Sequence, residues 1–410
     1  MAIEAAFPPA AIVDSRYAWF RLGISLLIGT LANVGMWSYV VALPTVQAAF
    51  SASRADASLP FTLTMIGFGV GGVAMGRLAD RAGIMLPVML GALLIGLGYV
   101  GAGFAANLWA FAATHLVIGF GTSAAFGPLM ADVSHWFLRR RGVAVAIAAC
   151  GNYVAGTVWP PVLQHFLDSS GWRATHIAVG LFCLASVLPL AWLLRPRLPQ
   201  TDAHSEAADA GARRQAAGLS PGTLMALLTV AAVACCVAMA MPQVHIVAYC
   251  GDLGYGPARG AEMLSLMLGF GLVARLLSGL LADRAGGLVT LLVGSVMQGV
   301  ALLLYLGFDS LTSLYVISAL FGLFQGGIVP SYAIVIREFF APQEAGWRVG
   351  VVLMASILGM AFGGWVSGLI FDLTGSYRVA FAHGVLWNLL HASIVVWLLT
   401  RRSRRVFATA

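Results

Sequence analysis

The residue in this chain best suited to bind a ligand is Arg275. It sits in Met263–Ala282, a run that is otherwise almost wholly apolar. A charge inside a membrane-spanning helix costs about 2.5 to 3.5 kcal/mol on insertion scales, so such a residue faces a bundle interior or a watery cavity and has a partner. No acidic residue lies one helical turn away: Gly271 precedes Arg275 by four positions and Gly279 follows by four. The functional reading is that the partner is a carried anion. The plain reading is an Arg that snorkels to the cytoplasmic headgroups or pairs with another helix. Snorkelling is easier near a helix end than several residues inside one, which favours the functional reading.

Other polar residues inside apolar runs are candidates to line the same site. Asn33 and Trp37 are four apart and share a helix face. Asn33 falls mid-run, where an amide needs a partner; an interhelical hydrogen bond, worth about 0.6 to 2 kcal/mol in membranes, is the alternative use. Asn152, Tyr153, Gln325 and Tyr332 are similar, and the Tyr332 hydroxyl is able to donate to a carboxylate. Asn388 and His391 in the last run read as packing residues, as do His115 and His245. No His/Cys/Asp/Glu cluster has metal-ligand spacing, and no phosphate-cradling loop follows a strand, so no cofactor, metal or ATP-driven pump is expected. No nucleophile–base set or paired carboxylates lie inside the runs, which argues against an enzyme.

The elements that position these residues are membrane helices. The chain has 410 residues, of which 60% are hydrophobic and 10% charged, and its mean hydropathy is +0.90. A soluble domain carries about 25% charged residues, so lipid is the main solvent here. Twelve apolar runs are long enough to span a bilayer, at 18–46, 59–77, 84–104, 108–134, 142–167, 173–194, 221–250, 259–281, 288–307, 312–336, 346–371 and 379–400. An all-α protein with twelve spans is expected, divided into residues 1–194, a mobile polar linker at 195–220, and residues 221–410. All 23 basic residues are Arg. Eighteen fall on the side of the termini and linker and four on the other (Arg54, Arg173, Arg259 and Arg378), which places both termini in the cytoplasm. The net charge of +7 thus reads as topology, not as a nucleic-acid surface. Residues Met1–Asp14 lack a basic stretch before the first apolar run, so no cleaved signal peptide is expected. The five Cys residues form no disulfide pattern.

The two halves repeat. Gly76-Arg77-Leu78-Ala79-Asp80-Arg81-Ala82-Gly83 follows the second run, and Gly279-Leu280-Leu281-Ala282-Asp283-Arg284-Ala285-Gly286 follows the eighth, 203 residues later. These octamers resemble the signature loop of the major facilitator superfamily, whose substrate site lies near the midplane between halves. Asp80, Arg81, Asp283 and Arg284 then read as a cytoplasmic latch, each carboxylate capping a facing helix N-terminus when the inner side is closed. Within that superfamily, Trp136-Phe137 with Arg139–Arg141 and the small-residue helix that follows resemble the fifth-helix entry of the monocarboxylate transporter family. Asp14-Ser15-Arg16-Tyr17-Ala18-Trp19 is a degraded form of its motif before the first helix. Ala274-Arg275 with Gly279 is similar to its substrate-binding segment, and oxalate–formate antiporters also carry a cation on that helix. The resemblance implies a carboxylate substrate.

This chain departs from that pattern. Gly271 stands where the monocarboxylate family carries a proton-coupling Asp, and Thr45 follows Pro44 where it carries Lys. The eleventh run offers Ser356, Trp365 and Ser367 but no second cation, which suits one carboxylate better than two. The expected function is therefore alternating-access transport of small organic anions, chiefly monocarboxylates, by a monomer in a bacterial inner membrane. Arg275 would hold the carboxylate, with Asn33, Trp37, Asn152, Gln325 and Tyr332 shaping the pocket. Coupling to a proton or counter-anion stays open, with exchange or uniport favoured by the lack of a mid-span carboxylate. The alternative is efflux of a drug-like or amphipathic compound on the same fold.

Overall fold

A computed structural model of the protein describes residues 13–137, 140–196, 220–340 and 342–408. The described residues are helical, without a strand. In chain order the helices are α1 (Arg16–Ala32), α2 (Val34–Phe50), α3 (Arg54–Ala82), α4 (Met85–Gly103), α5 (Leu108–Thr122), α6 (Gly127–His135), α7 (Arg141–Trp192), α8 (Pro221–Asp252), α9 (Pro257–Ala285), α10 (Gly287–Gly307), α11 (Leu311–Gln325), α12 (Ile328–Phe339), α13 (Pro342–Thr374) and α14 (Tyr377–Ala408). Eleven helical segments among the described residues are long and apolar enough to cross a bilayer. One of them, Val143–Trp192, has 50 residues, about 75 Å of helix at 1.5 Å per residue. That is more than twice a hydrocarbon core of about 30 Å. Gly171, at φ +77°, turns the chain inside it, so this segment holds the runs expected at 142–167 and 173–194.

Local chemistry sets several starts and breaks. Ser15 Oγ accepts from the Ala18 amide at 3.3 Å and caps α1, Asn107 Oδ1 accepts from Ala110 at 2.8 Å and caps α5, and Ser220 caps α8. Three expected single helices are interrupted. The run 18–46 breaks at Asn33, whose side-chain amide donates back to Gly29 O at 2.6 Å, so the backbone leaves helical geometry there. Asn33 thus sits at a joint rather than mid-helix. The run 108–134 passes through a 3₁₀ turn at Ser123–Ala125 between α5 and α6. The run 312–336 is interrupted at Gly326–Gly327.

The chain divides into two compact units, Met1–Ser53 with Ala57–Asp202, and Arg54–Asp56 with Ala203–Ala410. The division falls inside the segment expected as a linker, most of which (197–219) lies outside the described residues. In the first unit the two motifs that flank the first helix and open the fifth meet. The Asp14 amide donates to Trp136 O at 3.0 Å, and Ala18, Leu22, Val133, Trp136, Phe137, Ala144 and Ala148 form one buried cluster. In the second unit α8 is central, with its residues from Ala231 to Cys250 almost all buried, apart from Val233.

Close helix crossings depend on glycine. In the first unit a Cβ on Gly119 would collide with the backbone carbonyl of Thr64; in the second a Cβ on Gly322 would collide with that of Met267. The two pairs are offset by the same 203 residues as the repeated octamers. The internal repeat is thus a repeat of packing within each unit. Because a carbonyl cannot swing away as a side-chain tip can, Gly119→Ala and Gly322→Ala should each destabilise the protein by at least about 1–3 kcal/mol, the usual cost of overpacking. Thermal unfolding in detergent should show both variants melting well below the parent, whereas Gly76→Ala, with open space around it, should not.

Candidate substrate site

In the first unit three of the sequence candidates lie close together. Gly29 of α1 and Gly151 of α7 approach so closely that a Cβ on Gly151 would sit 3.1 Å from Gly29 Cα. That crossing brings the two helices together next to Asn33 and Asn152. Trp37, almost fully buried, donates its indole N–H to Asn152 Oδ1 at 3.0 Å and lies 3.2 Å from Asn152 O. Asn33 is fully buried, and its Oδ1 has no hydrogen-bond partner among the described residues. A ligand or a water that donates to it would remove the penalty for an unmade bond, about 1–3 kcal/mol.

In the second unit the break at Gly326–Gly327 packs on α9. A Cβ on Gly326 would meet Gly271 O and Ala274, and one on Gly327 would meet Ser278. Arg275 stands on the same turns of α9, half-buried, with its carbonyl accepting from Ser278 Oγ at 3.0 Å. Gly271 is therefore a packing residue: the helix break rests where the resembled family carries an Asp. Gln325, fully buried beside the break, accepts from Gln243 Nε2 at 2.8 Å. Its own Nε2 and the Tyr332 hydroxyl are buried without hydrogen-bond partners among the described residues. Tyr332 is 1% exposed. Asn388 and His391, read as packing residues, do form a network: Asn388 donates to Ser295 O at 3.1 Å and Gln298 Oε1 at 3.2 Å, and His391 Nδ1 lies 2.9 Å from Ser295 Oγ.

The four latch candidates are exposed. Asp80 and Arg81 end the first unit's α3, and Asp283 and Arg284 end α9 in the second. They lie inside the last helical turns, not after the helix ends. Among the described residues neither Asp80 nor Asp283 makes an ion pair or caps a helix. The carboxylate that caps a helix N-terminus near Asp283 is Glu338, whose Oε1 accepts from the Gly287 amide at 2.7 Å.

Sequence reasoning missed the buried charges. Arg21, counted only as topology, is 1% exposed and bidentate to Asp132, with Nε–Oδ2 at 2.8 Å and Nη2–Oδ1 at 3.0 Å. Its guanidinium also lies 4.5 Å from the Trp136 ring centroid. In the second unit, which includes Arg54–Asp56, Arg54 pairs with Asp252 at 3.1 Å and donates to Tyr377 Oη at 2.7 Å. Asp372 there accepts from the Arg54 and Ala55 amides at 2.8 and 2.6 Å. Arg21 and Asp132 are 111 positions apart, so nothing in the sequence paired them, and nothing singled out Arg54.

The model of the Major Facilitator Superfamily matches residues 25–303 and 226–408, taking in both halves. The chain belongs to the major facilitator superfamily. It is a multi-pass membrane transporter for small molecules, not an enzyme. Its curated relatives include monocarboxylate transporter 13 of Rattus norvegicus, 29% identical over 94% of this chain and 90% of that protein. Human monocarboxylate transporter 11 is 28% identical over 91% of this chain and 81% of its own length. Among solved structures, the nucleoside transporter NupG superposes with a TM-score of 0.73 at 13% identity, covering 92% of this chain and 99% of that one. That likeness shows the fold.

Cutting the buried pair of this transporter should cost more than removing it whole. Asp132→Asn leaves Arg21 charged and buried, and should destabilise the protein by about 3–5 kcal/mol. Arg21→Met combined with Asp132→Leu should recover most of that. Chemical or thermal unfolding of the two variants in one detergent would show the ordering; equal losses would mean the pair itself supplies net stability.

Proposed function

We propose that this protein carries small organic anions, chiefly monocarboxylates, by alternating access in a bacterial inner membrane, as a monomer with both termini in the cytoplasm. The observation that carries the reading is Arg275, half-buried on α9 where that helix supports the Gly326–Gly327 break. Interrupted helices near the midplane are where transporters of this kind build substrate sites. A guanidinium offers a planar fork that matches a carboxylate. The orphan polar atoms of Gln325 and Tyr332 in the same unit, and of Asn33 in the other, are groups that a bound polar substrate or its waters would satisfy. The names of the monocarboxylate relatives support the substrate class; they do not favour efflux of drug-like compounds.

Arg275 is the carboxylate ligand, Trp37–Asn152 a rigid wall, and Gln325 and Tyr332 donors to the substrate. The exposed Asp80–Arg81 and Asp283–Arg284 pairs are cytoplasmic latch groups that engage in another state of the cycle. The decisive assay is counterflow in proteoliposomes with a panel of radiolabelled carboxylates. Arg275→Ala should abolish uptake while leaving expression near normal. Arg275→Lys should recover little, because an ammonium cannot make the two-pronged contact. Wild-type rates in the alanine variant would overturn the assignment.

The latch groups should behave differently. Asp80→Asn and Asp283→Asn should slow turnover several-fold with substrate affinity nearly unchanged, since a latch shifts the balance of states rather than the contacts to substrate. Labelling of single cysteines on the cytoplasmic side should rise in both. Collapse of binding with unchanged labelling would refute the role.

A further inference from the structure

The second unit holds a hydrogen-bonded pair of amides at the edge of its helix break. Gln325 is the last residue of α11, directly before Gly326–Gly327, and is 0% exposed. Gln243 of α8 is 3% exposed and donates its Nε2 to Gln325 Oε1 at 2.8 Å. The bond occupies the oxygen of Gln325. It leaves the Gln325 Nε2 buried without a hydrogen-bond partner among the described residues.

The two members are held differently. Gln243 lies in a stretch of α8 in which every residue from Ala234 to Cys250 is buried. Two residues further on, His245 Nε2 lies 2.8 Å from Gly364 O of α13, so this turn is fastened to a neighbouring helix. Gln325 instead stands at the end of α11, where no further turn of that helix follows. The terminal torsion of a glutamine is broad and roughly two-fold, and the two ends of its amide are opposite in polarity: the oxygen accepts and the nitrogen donates. Left alone, such a group can show a ligand either end. The bond from Gln243 selects one.

That selection bears on what the site accepts. A carboxylate only accepts hydrogen bonds, and a guanidinium only donates them. An amide nitrogen facing a carboxylate makes a hydrogen bond strengthened by the charge; an amide oxygen in the same place sets lone pairs against lone pairs. The polarity of Gln325 toward a ligand is thus set by a residue outside the candidate site. We propose that Gln243 is a positioning residue, which holds Gln325 with its NH₂ group toward the substrate and so makes the site selective for carboxylates over uncharged analogues that donate. The proposal rests on the carboxylate reading above and adds to it the residue that enforces the preference. Turned over, with Gln325 donating to Gln243, the pair would keep its bond but show the substrate an oxygen, and the preference would run the other way.

Counterflow in proteoliposomes tests this in two stages. The parent with the radiolabelled carboxylate panel decides the substrate reading; a parent that exchanges no carboxylate sinks that reading and this role with it. For a carboxylate that exchanges, the readout is discrimination: the concentration of its own primary amide that halves uptake, divided by the concentration of unlabelled carboxylate that does so. Gln243→Met removes the donor at similar length. It should raise the KM for the carboxylate about two- to tenfold, the worth of one neutral hydrogen bond, with the maximal rate little changed, and lower the discrimination by a similar factor. In a Gln325→Met background the same substitution should change neither. Gln243→Asn, one methylene short of the bond, carries the same expectation and takes its place if the methionine variant does not fold. Parental KM and discrimination in the variant, whatever its thermal stability, would show the pair to be a packing contact and overturn the proposal while the carboxylate reading stands. An undiminished effect in the Gln325→Met background, or a discrimination that rises, would overturn it equally.

Discussion

A bilayer offers a peptide group no hydrogen-bond partner, and the rest of this structure follows from that constraint. Helix satisfies the backbone along almost every described residue. The places where helix is given up are therefore informative, since each must find its partners inside the protein. Asn33 joins α1 to α2 with its own amide bonded back to Gly29 O. Ser123–Ala125 passes between α5 and α6 as a 3₁₀ turn, with Ser123 Oγ donating to Phe120 O at 2.7 Å. Gly326–Gly327 separates α11 from α12 against the small residues of α9. Two of these three breaks adjoin side chains the sequence had offered as substrate ligands. The candidate site residues of each unit thus gather where the backbone leaves helix.

Lipid also removes the hydrophobic force that packs helices in water, so close contact must come from shape. The Thr64–Gly119 and Met267–Gly322 contacts do this with backbone against backbone. Their common offset of 203 residues ties the packing to the duplicated octamers, although the octamers lie at the helix ends and the glycines deep inside. A duplicated chain keeps the geometry of its crossings even where its side chains have diverged. Asn388 shows the divergence: it fills the space by Gly299, where the first unit's Gly96, 203 residues earlier, packs on Leu184.

Hydropathy and the repeat made the fold legible, because burial in lipid is a property of composition over twenty residues. The candidate site stands out in part, since polar residues contrast with an apolar background: Asn33, Asn152, Gln325 and Tyr332 were offered on that ground, and Trp37 by its place four residues from Asn33. What could not be read were relations between distant residues. Arg21 looks like any charge near a helix end until Asp132, 111 positions later, closes on it. Gln243 has no periodicity or motif, and only folding sets it beside Gln325. Asp283 carried the motif, yet the carboxylate that caps Gly287 is Glu338, which carried none. A motif marks where charge is placed along the chain; it does not say which helix terminus that charge will meet.

The buried polar groups fall into two sets with different mechanical consequences. Arg21–Asp132, Trp37–Asn152 and the Ser295–Gln298–Asn388–His391 network each have all their members within one unit. Such contacts can stay closed while a unit moves as a body, so they stiffen it without opposing a transport cycle. Asn33 Oδ1, Gln325 Nε2 and Tyr332 Oη instead lack partners among the described residues. A buried polar atom left unsatisfied is a standing cost, and the folded chain keeps three of them near its helix breaks. Whatever enters to satisfy them lowers the free energy of the state it binds, and that difference between states is the only means by which a substrate can drive a conformational change.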